Sequence, residues 1–234
     1  MNADTYHDLY EEHARQVAPH ESIGAGDFDL VGRIELGALI EAGLLPDDTF
    51  VDFGCGTGRL ALHAVPYLAS GSYVGIDISE TMLEQAKRAN AGAGGGCEVS
   101  WVVQEATELA LPSASADMIA AFSVFTHLEH EDSYRYLVDA RRVVRPGGTF
   151  VFSCLTMDLD LARDVFSTSA SLPFEARWQS VRNVTTSYEL MDAISELAGW
   201  RVERWIRGDQ ARVPVHGQPG VELALGQSIC VLSR

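Results

Sequence analysis

Thr49-Phe50-Val51-Asp52-Phe53-Gly54-Cys55-Gly56-Thr57-Gly58-Arg59 decides the fold of this chain. A short apolar run ends in three glycines at alternate positions, and a helix-compatible stretch beginning at Leu60 follows at once. That order reads as a strand, a tight turn and a helix N-terminus. Glycine permits positive φ in the turn and lets a ligand approach the backbone with no Cβ in the way. The free N–H groups of the helix start favour a negatively charged group. Asp77 stands 23 positions after Gly54, closing a second apolar run, Ser72-Tyr73-Val74-Gly75-Ile76. An acid about 20 residues beyond a glycine turn, at the tip of the next strand, is placed to bond ribose hydroxyls. Turn and acid together read as a nucleoside-cofactor site.

The spacing narrows the nucleoside. A dinucleotide fingerprint places its third glycine where helix and strand pack closely; here that position is Arg59, and the glycine comes one residue early, at Gly58. The pattern Asp52-x-Gly54-x-Gly56-x-Gly58 instead resembles the first motif of class I S-adenosylmethionine-dependent methyltransferases of the small-molecule type. Ile76-Asp77-Ile78-Ser79, followed by Met82-Leu83 and Ala86, is similar to the family's second signature. Val144-Arg145-Pro146-Gly147-Gly148-Thr149 is similar to the turn that precedes its fifth strand. The resemblance is close over roughly residues 30 to 155 and weak elsewhere.

The chain's own periodicity points to the same class. Strand-like runs fall near Thr49–Phe53, Tyr73–Asp77, Glu98–Val103, Met118–Ser123 and Thr149–Cys154, with helical patterns near Leu60–Leu68, Glu80–Asn90 and Ser133–Val144 between them. Such alternation marks a parallel α/β sheet. Trp200–Gly208 and Ser228–Ser233 read as two further strands after a helix at Ser187–Ala198, and with no long helix between them they form an antiparallel pair at the sheet edge. The resemblance implies the same architecture: α/β, a Rossmann-like seven-stranded, mostly parallel sheet with helices on both faces and an antiparallel edge strand. One domain over 1–234 is expected. Residues 1–45 form an N-terminal helical cap, and residues 155–186 form an insertion shaping an acceptor pocket, since such folds place substrate contacts in loops at strand C-termini.

Bulk properties remove several function classes. At 234 residues, 47% hydrophobic and 21% charged, the chain has the composition of a soluble globular protein. A net charge of −16 disfavours nucleic acid and anionic membranes as partners. No apolar run approaches a membrane span, and the N-terminus lacks signal-peptide features, so a cytoplasmic location is expected. Cys55, Cys97, Cys154 and Cys230 are dispersed with no C-x-x-C pair, which predicts neither a disulfide framework nor a metal site. A small-molecule acceptor is the expected partner, with the chain a monomer or homodimer.

The resemblance also implies roles. Gly54, Cys55 and Gly56 would run along the methionine portion of S-adenosylmethionine, and Asp52 would orient its amino group. Asp77 would accept from the ribose hydroxyls, with Ile78 and Met82 on the adenine face. Glu105, in Gln104-Glu105-Ala106, stands where the family often has Gly-Asp-Ala, and with Ala106 would meet the adenine. Phe122 and Ser123 would line the floor below the sulfonium. His127 directly follows the fourth strand, at the crevice mouth, and is the candidate general base. Tyr6 and Tyr10 share one helix face and would close over the cofactor, while Trp178 would shape the acceptor pocket. Two other functions fit a nucleoside site. A nicotinamide-dependent oxidoreductase is opposed by Arg59 and by the lack of a Tyr-x-x-x-Lys pair; a non-catalytic S-adenosylmethionine-binding protein would keep the pocket and transfer nothing.

Overall fold

The computed structural model describes residues 3–16, 27–93, 96–104, 108–179 and 181–234. Two helices, α1 (Ala3–Gln16) and α2 (Phe28–Glu41), precede β1 (Thr49–Phe53). The chain continues through α3 (Ala61–Tyr67), β2 (Ser72–Asp77), α4 (Glu80–Ala89), β3 (Glu98–Val103), β4 (Ala116–Ala121), α5 (His130–Val143) and β5 (Val144–Thr156). After β5 come α6 (Asp160–Ser171), α7 (Phe174–Trp178), β6 (Thr185–Thr186), α8 (Tyr188–Leu197) and β7 (Arg201–Ile206). A two-stranded ribbon, β8 (Val213–Pro214) and β9 (Glu222–Leu223), leads into β10 (Ser228–Ser233).

The main sheet runs β3-β2-β1-β4-β5-β10-β7, with the two-residue β6 pairing the end of β5 as an eighth strand. All pairings are parallel except those of β10, which is antiparallel to both β5 and β7. The expected edge pair is therefore present, with β7 outermost. Strand order reverses between β1 and β4, and in such sheets ligands bind outside the strand C-termini at that switch point.

Pleating divides the core between the two faces. Val51, Phe53, Ile119, Phe150 and Phe152 pack with Tyr136, Leu137 and Ala140 of α5 and Met191 of α8. Phe50, Tyr73, Met118, Ala120 and Val151 pack with Ile34, Leu36 and Leu39 of α2 and Ala61, Ala64 and Val65 of α3. So α2 covers the sheet, and among the described residues of the expected N-terminal cap α1 is the helix that reaches the crevice. Helix α2 also carries the ribbon so closely that a Cβ on Gly37 would overlap the Pro214 carbonyl. Glycine to alanine within a helix ordinarily stabilises by about 1 kcal/mol. Gly37→Ala is expected to do the opposite, lowering stability by about 1–3 kcal/mol through overpacking, as read from urea midpoints.

Some boundaries differ from expectation, each for a local reason. Strand β4 stops at Ala121 rather than Ser123 because Ser123 adopts φ 59°, outside the extended region. Strand β5 starts at Val144 rather than Thr149: Val144 already pairs with Ala116, and the register shifts before Thr149 joins Met118. The Pro-Gly-Gly stretch, with Gly147 at φ 83°, is thus an irregularity inside the strand. Helix α5 begins a turn early, at His130, with Glu131 and Asp132 placing negative charge at its N-terminus.

Candidate functional site

The glycine turn folds back onto the tip of β2. Gly54 and Cys55 N–H both donate to the Ile76 carbonyl, at 2.7 and 3.0 Å, and Gly58 N–H donates to the Cys55 carbonyl at 3.0 Å. Gly54, Gly56 and Gly58 all have positive φ, at 73°, 54° and 85°. The Asp77 carboxylate ties the turn to the next helix. Its Oδ2 accepts from Gly56 N–H at 2.8 Å and its Oδ1 from Ser79 N–H at 2.9 Å. Burial pushes its pKa up to about 6, against the lowering effect of those N–H groups. A carboxylate has about four lone-pair directions, so both oxygens keep acceptor capacity toward the crevice.

Asp52 lies on the α2/α3 side of the sheet with Phe50, as alternation along β1 requires. Its Oδ2 accepts from the Tyr73 hydroxyl at 2.6 Å. Burial raises its pKa to about 7; the Tyr73 bond and the Arg59 charge oppose that rise, and Glu35 and Asp77 add to it. Glu35 itself is 2% exposed and ion-paired with Arg59. Cys55 is buried beside this cluster, where a Cβ on Gly75 would strike its sulfur and the Trp101 ring. Ile78 packs against the same core as Ile76, and Met82 is buried, its N–H donating to the Ser79 hydroxyl at 3.1 Å. Glu105 and Ala106 lie outside the described residues.

The loop after β4 closes the other side. A Cβ on Gly54 would overlap the Val124 side chain, so this loop rests on the glycine turn. Phe122 is buried, and Ser123 holds its unusual φ through all its polar groups. Ser123 N–H donates to the Ser153 hydroxyl at 2.8 Å, its hydroxyl accepts from Gln227 at 2.9 Å, and its carbonyl accepts from Thr126 at 2.7 Å. Non-glycine residues in this region cost energy and persist only where the surroundings over-determine them. His127 follows in the same loop, its Nδ1 2.6 Å from the Arg182 carbonyl. A carbonyl can only accept, so Nδ1 carries the proton and Nε2 the lone pair. Burial lowers the imidazole pKa, the Arg182 bond opposing, which keeps the ring neutral near pH 7.

Helix α1 bridges the crevice between the N-termini of α4 and α5. The Glu11 carboxylate, 6% exposed, accepts from the Ser79 hydroxyl at 2.9 Å, Thr81 N–H at 3.1 Å and the Thr81 hydroxyl at 2.8 Å. Burial works to raise its pKa, and these bonds outweigh it and hold the carboxyl below its ordinary value. At the other end the Tyr6 hydroxyl donates to Asp132 at 3.1 Å and accepts from Glu129 N–H at 3.2 Å. Tyr10 lies between these anchors, edge-on to His127 at 5.9 Å, and burial and the nearby Asp77 charge raise its pKa well above normal. Trp178 is more peripheral. It is 37% exposed and stacks under Arg182, 4.2 Å from the guanidinium carbon, and Arg182 in turn is ion-paired with Glu129.

The structure therefore brings Gly54, Cys55, Gly56 and Asp77 to one side of the crevice and Phe122, Ser123 and His127 to the other, with Tyr6 and Tyr10 across it. Sequence reasoning missed Glu11, Arg182 and Gln227. The N-cap Ser79 followed by Glu80 is a sequence pattern that could have marked the helix start where Glu11 binds, but nothing in the sequence linked Gln227 to Ser123. Among the described residues no three His, Cys, Asp or Glu side chains gather as a metal-binding group, and no helix is long and apolar enough to cross a membrane.

Residues 50–148 match the family model described as a methyltransferase domain. The chain is 34% identical over 113 residues to the 27-O-demethylrifamycin SV methyltransferase of Amycolatopsis mediterranei, an alignment covering 46% of this chain and 39% of that protein. It is 35% identical over 105 residues to the 2-phytyl-1,4-naphtoquinone methyltransferase of Trichormus variabilis, covering 44% and 45%. The matched segment spans less than half the length of these curated relatives. In structure, the chain is similar to magnesium protoporphyrin IX methyltransferase from Synechocystis with bound SAH, with a TM-score of 0.63 over 99% of this chain and 93% of that one. Sequence identity there is 18%, so that likeness is one of fold.

Proposed function

We propose that this chain is a class I S-adenosylmethionine-dependent methyltransferase that methylates an oxygen or nitrogen of a small-molecule acceptor, a reading supported by the methyltransferase-domain match of residues 50–148. One observation carries the reading: Asp77 and the glycine turn are joined at 2.8 Å through Gly56 N–H, placing a carboxylate and a backbone surface free of side chains side by side. These residues suit an adenosyl ligand. Asp77 would take the ribose hydroxyls, the 54–56 backbone would run along the methionine portion, and Ile78 would face the adenine. Asp52 Oδ2 already accepts from Tyr73, so a contact to the amino group would use Oδ1 or the second lone pair of Oδ2.

When bound, S-adenosylmethionine supplies an electrophilic methyl on a cationic sulfur, open to in-line displacement by the acceptor. The chain's part is to position and to exclude water. Tyr6 and Glu11 hold α1 across the mouth, and Tyr10 fills the space beneath it. His127 Nε2, neutral and unprotonated near pH 7, would take the acceptor's proton. The protein would act away from nucleic acid and membranes, as its net charge of −16 favours.

Calorimetry with S-adenosylmethionine tests the premise, and absence of binding to the wild-type protein would end it. A panel of hydroxyl and amine acceptors then separates an enzyme from a silent binding protein. In turnover assays His127→Asn is expected to lower kcat by about 10²–10⁴-fold, the usual contribution of a general base, with cofactor affinity unchanged. Full retention of kcat would remove His127 from the chemistry.

A further inference from the structure

Between α6 and Arg177, Val181, Arg182 and Asn183 lies a cavity of about 290 Å³, near the lower end of small-molecule sites. Val165, Leu172 and Val181 give it apolar walls, and Arg177, Arg182 and Asp164 bring charge to it. The two arginines differ. Arg182 is ion-paired with Glu129 and stacked on Trp178. Arg177 has no ion pair and no side-chain hydrogen bond among the described residues, and sits 5.8 Å from the Phe174 ring. The Nε atoms of both are buried without a partner. Asp164, on the same lining, pairs with neither.

Arg141 and Arg234 also lack an ion pair among the described residues but donate to the Gly199 and Val144 carbonyls, whereas the Arg177 Nε is buried with no acceptor. A buried donor without an acceptor costs free energy that a ligand would recover. Arg182 also connects this cavity to the crevice, because its carbonyl holds His127 Nδ1 at 2.6 Å while its side chain lines the cavity.

We propose that this cavity is the acceptor's anion subsite, in which Arg177 receives the carboxylate of an otherwise apolar small-molecule acceptor. The proposal rests on the methyltransferase reading and specifies its substrate class. Guanidinium and carboxylate match as a two-point, charge-assisted pair, and Val165, Leu172 and Val181 would take the apolar body. Arg177 is thus a specificity-determining residue, whereas Arg182 both lines the subsite and sets the position of His127.

The test is calorimetry on the full chain saturated with S-adenosylhomocysteine, using 4-hydroxybenzoate, 6-hydroxy-2-naphthoate and indole-3-carboxylate, each against its neutral amide. At least one carboxylate should bind roughly tenfold or more tightly than its amide, the scale of a charged hydrogen bond. Arg177→Gln should erase that preference and leave S-adenosylhomocysteine binding unchanged. Asp164→Asn should strengthen carboxylate binding, a response that a merely structural role would not give. Amides binding as well as carboxylates, no binding by any carboxylate, or an Arg177→Gln protein that keeps the preference would each overturn the proposal. Failure to bind S-adenosylhomocysteine would instead count against the methyltransferase reading itself.

Discussion

Asp77→Ala is expected to weaken S-adenosylmethionine binding by at least about 100-fold, because two charge-assisted hydrogen bonds to the ribose are worth about 3 kcal/mol or more together. The loss should exceed that of an ordinary ligand contact, since the same carboxylate also builds the site. Its two oxygens accept from Gly56 N–H and Ser79 N–H, and without them two buried donors lose their acceptor, at about 1–3 kcal/mol each. The variant should therefore melt at a lower temperature as well as bind less tightly. Binding is measured by calorimetry well below that melting temperature, with circular dichroism to confirm the fold. The raised pKa of Asp77, about 6, adds a pH signature. Hydroxyls donate to the ionised form, so wild-type affinity should fall as the pH drops through 6, and the alanine variant should lack that step. Affinity within about threefold of wild type would show that the β2 acid does not hold the cofactor, a change of well under 1 kcal/mol.

How much of this site could be read from residues alone depends on how far along the chain each interaction reaches. The strand–turn–helix at 49–67 and the acid at Asp77 are local: glycine spacing and apolar runs each act within a few positions, and in the structure Gly56 N–H donates to the Asp77 carboxylate. The parallel sheet and its antiparallel edge pair followed from alternation and from the missing helix before β10, whereas the order of strands across the sheet is seen only in the structure. What was not legible is long-range. Gln227 reaches Ser123 across 104 positions, and Glu11 reaches Thr81 across 70. A lone glutamine and a glutamate in a polar helix carry no periodic or motif signal of such partners. Helices α6 and α7 were also unforeseen within the 155–186 insertion. Helix α7 has only five residues, none of them buried, so no apolar stripe marks it. Asp52 shows a third limit. Its place in the motif was plain, but its facing toward Tyr73 follows from the β1–β2 register, which a single strand's sequence does not fix.

The same Asp52 should make the protein less stable as the solution becomes more basic. Burial raises its pKa from an ordinary 3.8 to about 7, so between those values the folded chain keeps a proton that the unfolded chain has released. Stability then falls with pH, because the unfolded state binds fewer protons. The contribution is fully present below about pH 4 and is lost as the pH rises through about 7, a change of roughly 4 kcal/mol if no other group compensates. Asp52→Asn removes the titration while its amide oxygen can still accept from the Tyr73 hydroxyl. The variant is expected to be more stable than wild type at pH 8 by a few kcal/mol, with the difference shrinking toward pH 5. Urea denaturation of the ligand-free protein across that range measures it, and parallel curves for the two proteins would rule out Asp52 as the source. The uncharged asparagine at this position is then informative about function: if Asp52 meets the amino group of the cofactor, the stabilised variant should also bind S-adenosylmethionine less tightly. Both results together would mark Asp52 as an acid that lowers stability and serves binding, the trade between stability and function expected of a functional site.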